Sequence, residues 1–306
     1  MAPTRSTTAP TSTATVTPHE GACGATITGV NLAALDDVTF EAVQAAWHTY
    51  GVIAFPGQHL DEAAHVAFSR RLGRLENTNT RDPRNPDKRP TTLRLANLNR
   101  RDELITDPDH KINKFLRGNQ FWHSDSSFKR ISAKASLLAA IEVPDEGGET
   151  EYTDMRAAYD ALDEADKARI QGLVAWHSAA YSQRRSMGDE GAFSAEEEAN
   201  LPPVPQPVVR VHEPTGRPSL FLGRHAQSIE HLDEDDARAL IDRLLDAACQ
   251  PPRVYRHRWA AGDLVLWDNR CMVHRGRPWD TRQARIMRRT TVAGDPPPGD
   301  TNEWAL

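Results

Sequence analysis

Three His-x-Asp triplets stand in this 306-residue chain: His59-Leu60-Asp61, His123-Ser124-Asp125 and His231-Leu232-Asp233. Alternate residues of a strand share a face about 7 Å apart along the backbone, so such a pair can offer an imidazole nitrogen and a carboxylate oxygen to one ion. Asp61 and Asp233 each stand where a helix is expected to begin, which predicts N-caps rather than ligands. His123-Ser124-Asp125 instead follows a long polar loop and opens a strand-rich half, on an expected strand around Trp122–Phe128. A second histidine delivered by the fold would complete a two-His-one-carboxylate set. That set leaves coordination positions open and is diagnostic of non-haem Fe(II) oxygenases.

Further on, Leu264-Val265-Leu266-Trp267 reads as an apolar strand that leads through Asp268-Asn269-Arg270 to His274. Beyond it comes Arg285-Ile286-Met287-Arg288-Arg289, where strand alternation aims Arg285 and Arg289 to one face and Arg288 to the other. Two inward guanidiniums in an apolar strand require anions, and the planar fork of arginine suits a carboxylate. The competing reading is a pair of exposed arginines on an edge strand.

The elements that would position these groups follow from periodicity. Helices are expected at 38–50, 61–72, 156–176 and 233–249. Strand candidates include 51–55, 92–97, 135–143, 151–155, 208–211, 219–222, 264–267 and 286–292, separated by turn signals. Many short strands with a few helices predict a mainly β fold with helical cover (α+β), a sandwich or barrel. Residues 1–16, all Thr, Ser, Ala and Pro apart from a few others, are expected to be disordered, with a single domain over 17–306. Polar stretches near 75–120 and 182–206 read as mobile insertions. His177 and His257 lie in apolar or strand settings and read as core histidines.

Composition narrows the class. Lys and Arg number 37 against 43 Asp and Glu, a net charge of −6, with no basic stripe for nucleic acid. Three scattered cysteines without a CxxC pair fit a reducing cytoplasm and exclude a disulfide framework. No apolar run approaches a signal-peptide core or a membrane span.

Together these residues resemble the taurine dioxygenase and 2,4-dichlorophenoxyacetate dioxygenase family of Fe(II)/2-oxoglutarate enzymes, over essentially the whole chain from residue 17. The segments carrying the resemblance are Asn119-Gln120-Phe121-Trp122-His123-Ser124-Asp125-Ser126-Ser127-Phe128, Gly147-Gly148-Glu149-Thr150, Trp267-Asp268-Asn269-Arg270 with His274, and Arg285-Ile286-Met287-Arg288-Arg289. The resemblance implies a double-stranded β-helix (a distorted jelly roll) with His123, Asp125 and His274 as iron ligands. It implies that Thr150 and Arg285 hold the distal carboxylate of 2-oxoglutarate, and that Arg289 serves the co-substrate or the substrate. Asn119 and His225 would face the substrate. The implied activity uses Fe(II), 2-oxoglutarate and O2 to hydroxylate a small anionic molecule, aryloxyalkanoate- or sulfonate-like, releasing succinate and CO2. The resemblance also leaves room for a homo-oligomer.

Two rivals remain at this level. One is a tailoring oxygenase of secondary metabolism acting on a terpenoid or amino-acid-derived acid. The other is a jelly-roll binding module without catalysis, which the intact His123, Asp125, His274 and Arg285 argue against.

Overall fold

A computed structural model describes residues 14–21, 23–76, 91–188 and 193–296. Its first strands are β1 Thr15–Pro18, β2 Ala25–Thr28, β3 Val52–Phe55, β4 Thr92–Ala96, β5 Ala135–Glu142, β6 Thr150–Asp154, β7 Val174–His177 and β8 Val204–Pro207. They continue with β9 Val209–His212, β10 Arg217–Leu220, β11 Ala226–Ile229, β12 Tyr255–His257, β13 Leu264–Asp268, β14 Met272–Gly276 and β15 Ile286–Val292. Helices are α1 Asp37–Tyr50, α2 Glu62–Leu72, α3 Lys111–Gly118, α4 Met155–Asp160, α5 Glu164–Ile170, α6 Ala179–Met187, α7 Ala195–Asn200 and α8 Glu234–Ala248. None of the described helices is long and apolar enough to cross a membrane.

The main sheet runs β1-β2-β3-β13-β5-β15-β4, and β12-β6-β14 form a second, three-stranded sheet. Strand β13 shows why the main sheet is central. Leu264 and Leu266 pack on one side with Phe55, Trp47 and Phe68, beneath α1 and α2. Val265 and Trp267, one residue out of phase, pack on the other side against Tyr152 and Met272 of the second sheet. Every residue of β13 is therefore buried, and each such aliphatic side chain contributes about 1.5–3 kcal/mol on transfer from water. The mainly β reading with helical cover holds. Helix α8 adds its own apolar stripe, Ala237, Leu240, Ile241 and Leu244, to a further cluster with β11 and α4.

Several local expectations change. The helix expected over 156–176 is two helices and a strand, because Asp163 caps a fresh helix by accepting from the Asp166 amide and β-branched Val174 opens β7. The 75–120 stretch contains α3, and 182–206 contains the end of α6, α7 and the start of β8; residues 77–90 and 189–192 of these stretches lie outside the described set. Thr15 and Val16, assigned to a disordered tail, pair with Thr28 and Ile27 in β1, while residues 1–13 lie outside the described set. Asp61 and Asp233 do cap α2 and α8, accepting from Ala64 N and Asp236 N.

A buried ionic cluster ties α1 to both sheets. Arg156, fully buried, donates to Asp154 and to the His48 and Thr49 carbonyls at the end of α1. It also donates to His212 Nδ1 at 3.2 Å, which leaves His212 Nε2 to donate to Asp268 at 3.1 Å. Arg270 completes the set on Asp268. This cluster fixes the turn between β13 and β14. Arg156→Leu removes one partner of a buried pair, so a loss of about 3–5 kcal/mol is expected. Urea unfolding checks this through a lower midpoint at unchanged slope.

Candidate metal centre and its two cavities

His123 and Asp125 do not lie on a strand, contrary to the expectation from alternation. Residues 125–128 form a turn, with Ser126 at a left-handed φ of 54°. What places His123 is an isolated bridge: its amide donates to His274 O at 3.0 Å, and the His274 amide donates back at 2.8 Å. The two rings consequently sit 4.2 Å apart. Asn269, in the turn after β13, holds the other member by accepting the Asp125 amide at 3.1 Å, while its own carbonyl accepts from Ser124 Oγ at 2.6 Å.

Donor atoms of His123, Asp125 and His274 all lie within 4.8 Å of one another. His123 Nε2 is 4.0 Å from Asp125 Oδ1, and His274 Nε2 is 3.8 Å from Oδ2. An ion bonded at about 2.0–2.2 Å can span separations of this size. His123 Nδ1 lies 2.7 Å from the Phe121 carbonyl; a carbonyl only accepts, so the proton is on Nδ1 and Nε2 carries the free lone pair. Burial first, then the neighbouring His274, keeps the His123 ring far below its ordinary value, and burial pulls His274 down to about 4. Both rings are neutral at physiological pH and able to offer a lone pair to an ion. Burial opposes ionisation of Asp125, but the Arg289 guanidinium and the two histidines outweigh it and hold the carboxyl below its usual range. The donor set, two neutral imidazoles and one carboxylate, fits Fe(II).

The carboxylate is also aimed. Ser136 Oγ donates to Asp125 Oδ2 at 2.7 Å, and Asn269 Nδ2 donates in turn to Ser136 at 2.9 Å. Arg289 Nη1 donates to Oδ1 at 2.7 Å. A second group, His212, Asp268 and Cys271, satisfies the same donor spacing. There, however, Arg156 occupies His212 Nδ1 and Arg270 binds Asp268, so the charges are already matched without an ion.

Two cavities adjoin the donors and share Leu95, Asn119, His123 and Arg289 in their walls. The first is lined by Thr150, Trp279 and Arg285. Arg285, 7% exposed, is set by Asn97 accepting its amide at 2.9 Å and by its Nε donating to Gly148 O at 3.2 Å. Gly148, at a left-handed φ of +68°, lets the backbone approach Arg285 closely, since a Cβ there would stand 3.0 Å from Arg285 Nε and push the side chain aside. No carboxylate among the described residues pairs with this guanidinium. Burial lowers it only to about 10, so it stays charged, and an anion must come from elsewhere. The Thr150 hydroxyl accepts from Trp259 Nε1 at 3.0 Å, which leaves its proton to donate. These features fit the dicarboxylate 2-oxoglutarate.

The second cavity combines apolar Leu93, Phe115, Phe128 and Phe193 with Arg224 and His225. Lys129 in its wall is neutralised by Glu76 at 2.7 Å. Arg224 has no carboxylate partner among the described residues: it donates to the Gly118 carbonyl, its buried Nε has no partner, and burial lowers it to about 10. His225 is kept neutral by burial and by Arg224, and its Nδ1 lies 2.8 Å from Ser182 Oγ.

All predicted residues thus converge: Asn119, His123, Thr150, His274, Arg285 and Arg289 on the first cavity, Asp125 and His225 on the second. The sequence reading missed Arg224, Ser136 and the role of Asn269. A cation directly before His225 in an apolar segment was the available signal for Arg224; nothing local marked Ser136.

The taurine catabolism dioxygenase TauD, TfdA family matches residues 12–291. The (S)-phenoxypropionate/alpha-ketoglutarate-dioxygenase of Sphingobium herbicidovorans is 42% identical over 286 residues, 92% of this chain and 95% of that protein. The alpha-ketoglutarate-dependent 2,4-dichlorophenoxyacetate dioxygenase of a Burkholderia species is 42% identical over 248 residues, 79% of this chain and 82% of that one. The crystal structure of AAD-2 in complex with Mn(II) and N-oxalylglycine superposes with a TM-score of 0.84 at 37% identity, over 94% of this chain and 100% of that one.

Removing the Ser136 hydroxyl should loosen Asp125 without touching the donors. Ser136→Ala is expected to weaken Mn(II) or Co(II) binding by roughly 10- to 100-fold, the usual cost of losing a partner behind a ligand. Titration of the apo protein, with unchanged circular dichroism, measures it.

Proposed function

The chain belongs to the taurine catabolism dioxygenase TauD, TfdA family, and on that premise we propose that His123, Asp125 and His274 hold Fe(II) while Arg285 and Thr150 hold 2-oxoglutarate. The protein is a 2-oxoglutarate-dependent dioxygenase with the distorted jelly-roll fold of its relatives. When bound, the iron and 2-oxoglutarate supply O2 activation and insertion of one oxygen atom into a C–H bond, with succinate and CO2 released. We assign the substrate as a small aryloxyalkanoate-like carboxylate.

One observation carries this reading: two guanidiniums with no carboxylate partner among the described residues flank the donor cluster, buried Arg285 in one cavity and half-buried Arg224 in the other. Arg285 and the Thr150 hydroxyl orient the co-substrate's far carboxylate, which fixes its near end toward the donors. Arg224 takes the substrate's carboxylate, and the aromatic wall of Phe115, Phe128 and Phe193 receives its ring. Arg289 acts on the ligand carboxylate, since its Nη1 is already engaged by Asp125. Filling both cavities excludes water from the donors. Hydroxylation at a carbon that bears an ether oxygen gives a hemiacetal, which breaks to a phenol and an oxoacid.

Anaerobic Fe(II) with 2-oxoglutarate should give a weak visible charge-transfer band. Arg285→Ala should raise the 2-oxoglutarate Kd on the order of 10- to 100-fold, because a hydrogen bond to a charged group contributes about 1.5–3 kcal/mol. With O2, succinate release should respond to aryloxyalkanoates more than to sulfonates or terpenoid acids. Arg224→Ala should raise the aryloxyalkanoate KM by a similar factor and leave the 2-oxoglutarate Kd unchanged. Absence of both band and succinate would remove the iron assignment. An unchanged KM in Arg224→Ala would remove the substrate anchor alone.

A further inference from the structure

A chain of aromatic rings leads from the metal centre through the wall of the first cavity, which His274 and Trp267 line, toward the surface at His19. The His274 ring lies 4.6 Å from Trp267 and 6.1 Å from Tyr152, the latter nearly parallel at 23°. Trp267 is 5.6 Å from Tyr152. Tyr152 stacks on Tyr255 at 6.1 Å and 24°, and Tyr255 stacks on the part-exposed His19 at 3.8 Å. These spacings suit offset ring packing, which by itself explains a cluster of this kind.

The end of the chain asks for more than packing. The Tyr255 hydroxyl is 2.8 Å from His257 Nδ1, and His257 Nε2 is 3.2 Å from Asp263 Oδ2. With Nδ1 accepting the phenol proton, the His257 proton sits on Nε2, within ion-pair distance of the carboxylate though not aligned as a hydrogen bond to it. Asp263 is anchored by the Gly57 and Ala260 amides at 3.0 Å each. A carboxylate behind an imidazole stabilises the imidazolium formed when the ring takes a proton. Burial pushes the Tyr255 phenol above its ordinary value, so it is protonated at neutral pH and its proton leaves with the electron.

We propose that Tyr255 is a protective redox outlet: it delivers an electron through Tyr152 and Trp267 to the metal centre when O2 has been activated with no substrate in place. This rests on the iron assignment above. In each event Tyr255 loses one electron to the centre and its hydroxyl proton to His257 Nδ1, which leaves a neutral tyrosyl radical beside an imidazolium paired with Asp263. Two such electrons, with two protons taken from solvent at the iron, reduce the stranded oxygen atom to water and restore Fe(II). A one-electron reductant of the ascorbate class returns the tyrosyl to tyrosine and the proton returns from His257. The successive ring centroids, 4.6, 5.6 and 6.1 Å apart, break the path into short steps, and electron transfer falls steeply with distance. The oxidising equivalent is thereby drawn away from the side chains around the donors.

The test is uncoupled turnover of the holoenzyme with Fe(II), 2-oxoglutarate and O2, without substrate, in wild type, Tyr255→Phe and His257→Ala. Freeze-quenched wild type should show a tyrosyl electron paramagnetic resonance signal that Tyr255→Phe abolishes. His257→Ala keeps the tyrosine and should lose most of the signal. Tyr255→Phe should inactivate after several-fold fewer uncoupled turnovers, with oxidation mapped by mass spectrometry shifting to peptides carrying Trp267 and Tyr152. Its coupled turnover with substrate should match wild type. Succinate formed without any tyrosyl signal, or an identical signal in Tyr255→Phe, overturns the proposal while leaving the iron assignment standing. No succinate from any variant defeats the iron assignment and the outlet with it.

Discussion

A carboxylate buried at Asp125 is the constraint to which the rest of the structure answers. An ionised group at that depth is tolerated only if every lone pair has a partner. The chain supplies Arg289 on one oxygen and Ser136 on the other, with Asn269 binding both the Asp125 amide and Ser136. Those partners come from β15, β5 and the turn between β13 and β14, three neighbouring parts of the main sheet. The sheet is therefore the frame that aims the ligand, and the ionic cluster around Arg156 and Asp268 holds the turn that carries Asn269.

The second sheet brings the histidine side. His274 lies on β14, and its backbone exchanges two hydrogen bonds with His123. One bridge thus joins the two sheets' contributions, and the donor triangle forms between them. The same gap receives Arg285 from the start of β15 and Thr150 from β6. Charge organises this space unevenly. Lys129 has Glu76 and Arg289 has Asp125, whereas Arg285 and Arg224 form no ion pair with any described residue.

Strand periodicity made β4, β5, β13 and β15 legible almost to the residue, since each carries a run of apolar or β-branched side chains between turn signals. It failed over 122–128, where His-Ser-Asp looks like an alternating strand yet folds as a turn with Ser126 at positive φ. The pair's geometry there is imposed by Asn269 and the His274 bridge, contacts separated by more than 140 residues. Helix α3 was hidden within polar 75–120, because its cap is His110 rather than a Ser, Thr or Asp.

Residue type and order alone settled which chemistry the chain carries: His123, Asp125, His274 and Arg285 are donors and a cation whose nature does not depend on their surroundings. Their convergence, by contrast, was decided only in three dimensions. So was the difference between equivalent-looking arginines, with Arg289 engaged by Asp125 and Arg285 left free for a ligand. Arg224 acquires its significance only because the end of α3 packs against it and leaves it half-buried beside the second cavity. The physical reason is common to all three. A side chain's charge and donor atoms are local properties, whereas its burial and its partner are set by whichever distant segments the core packing brings alongside.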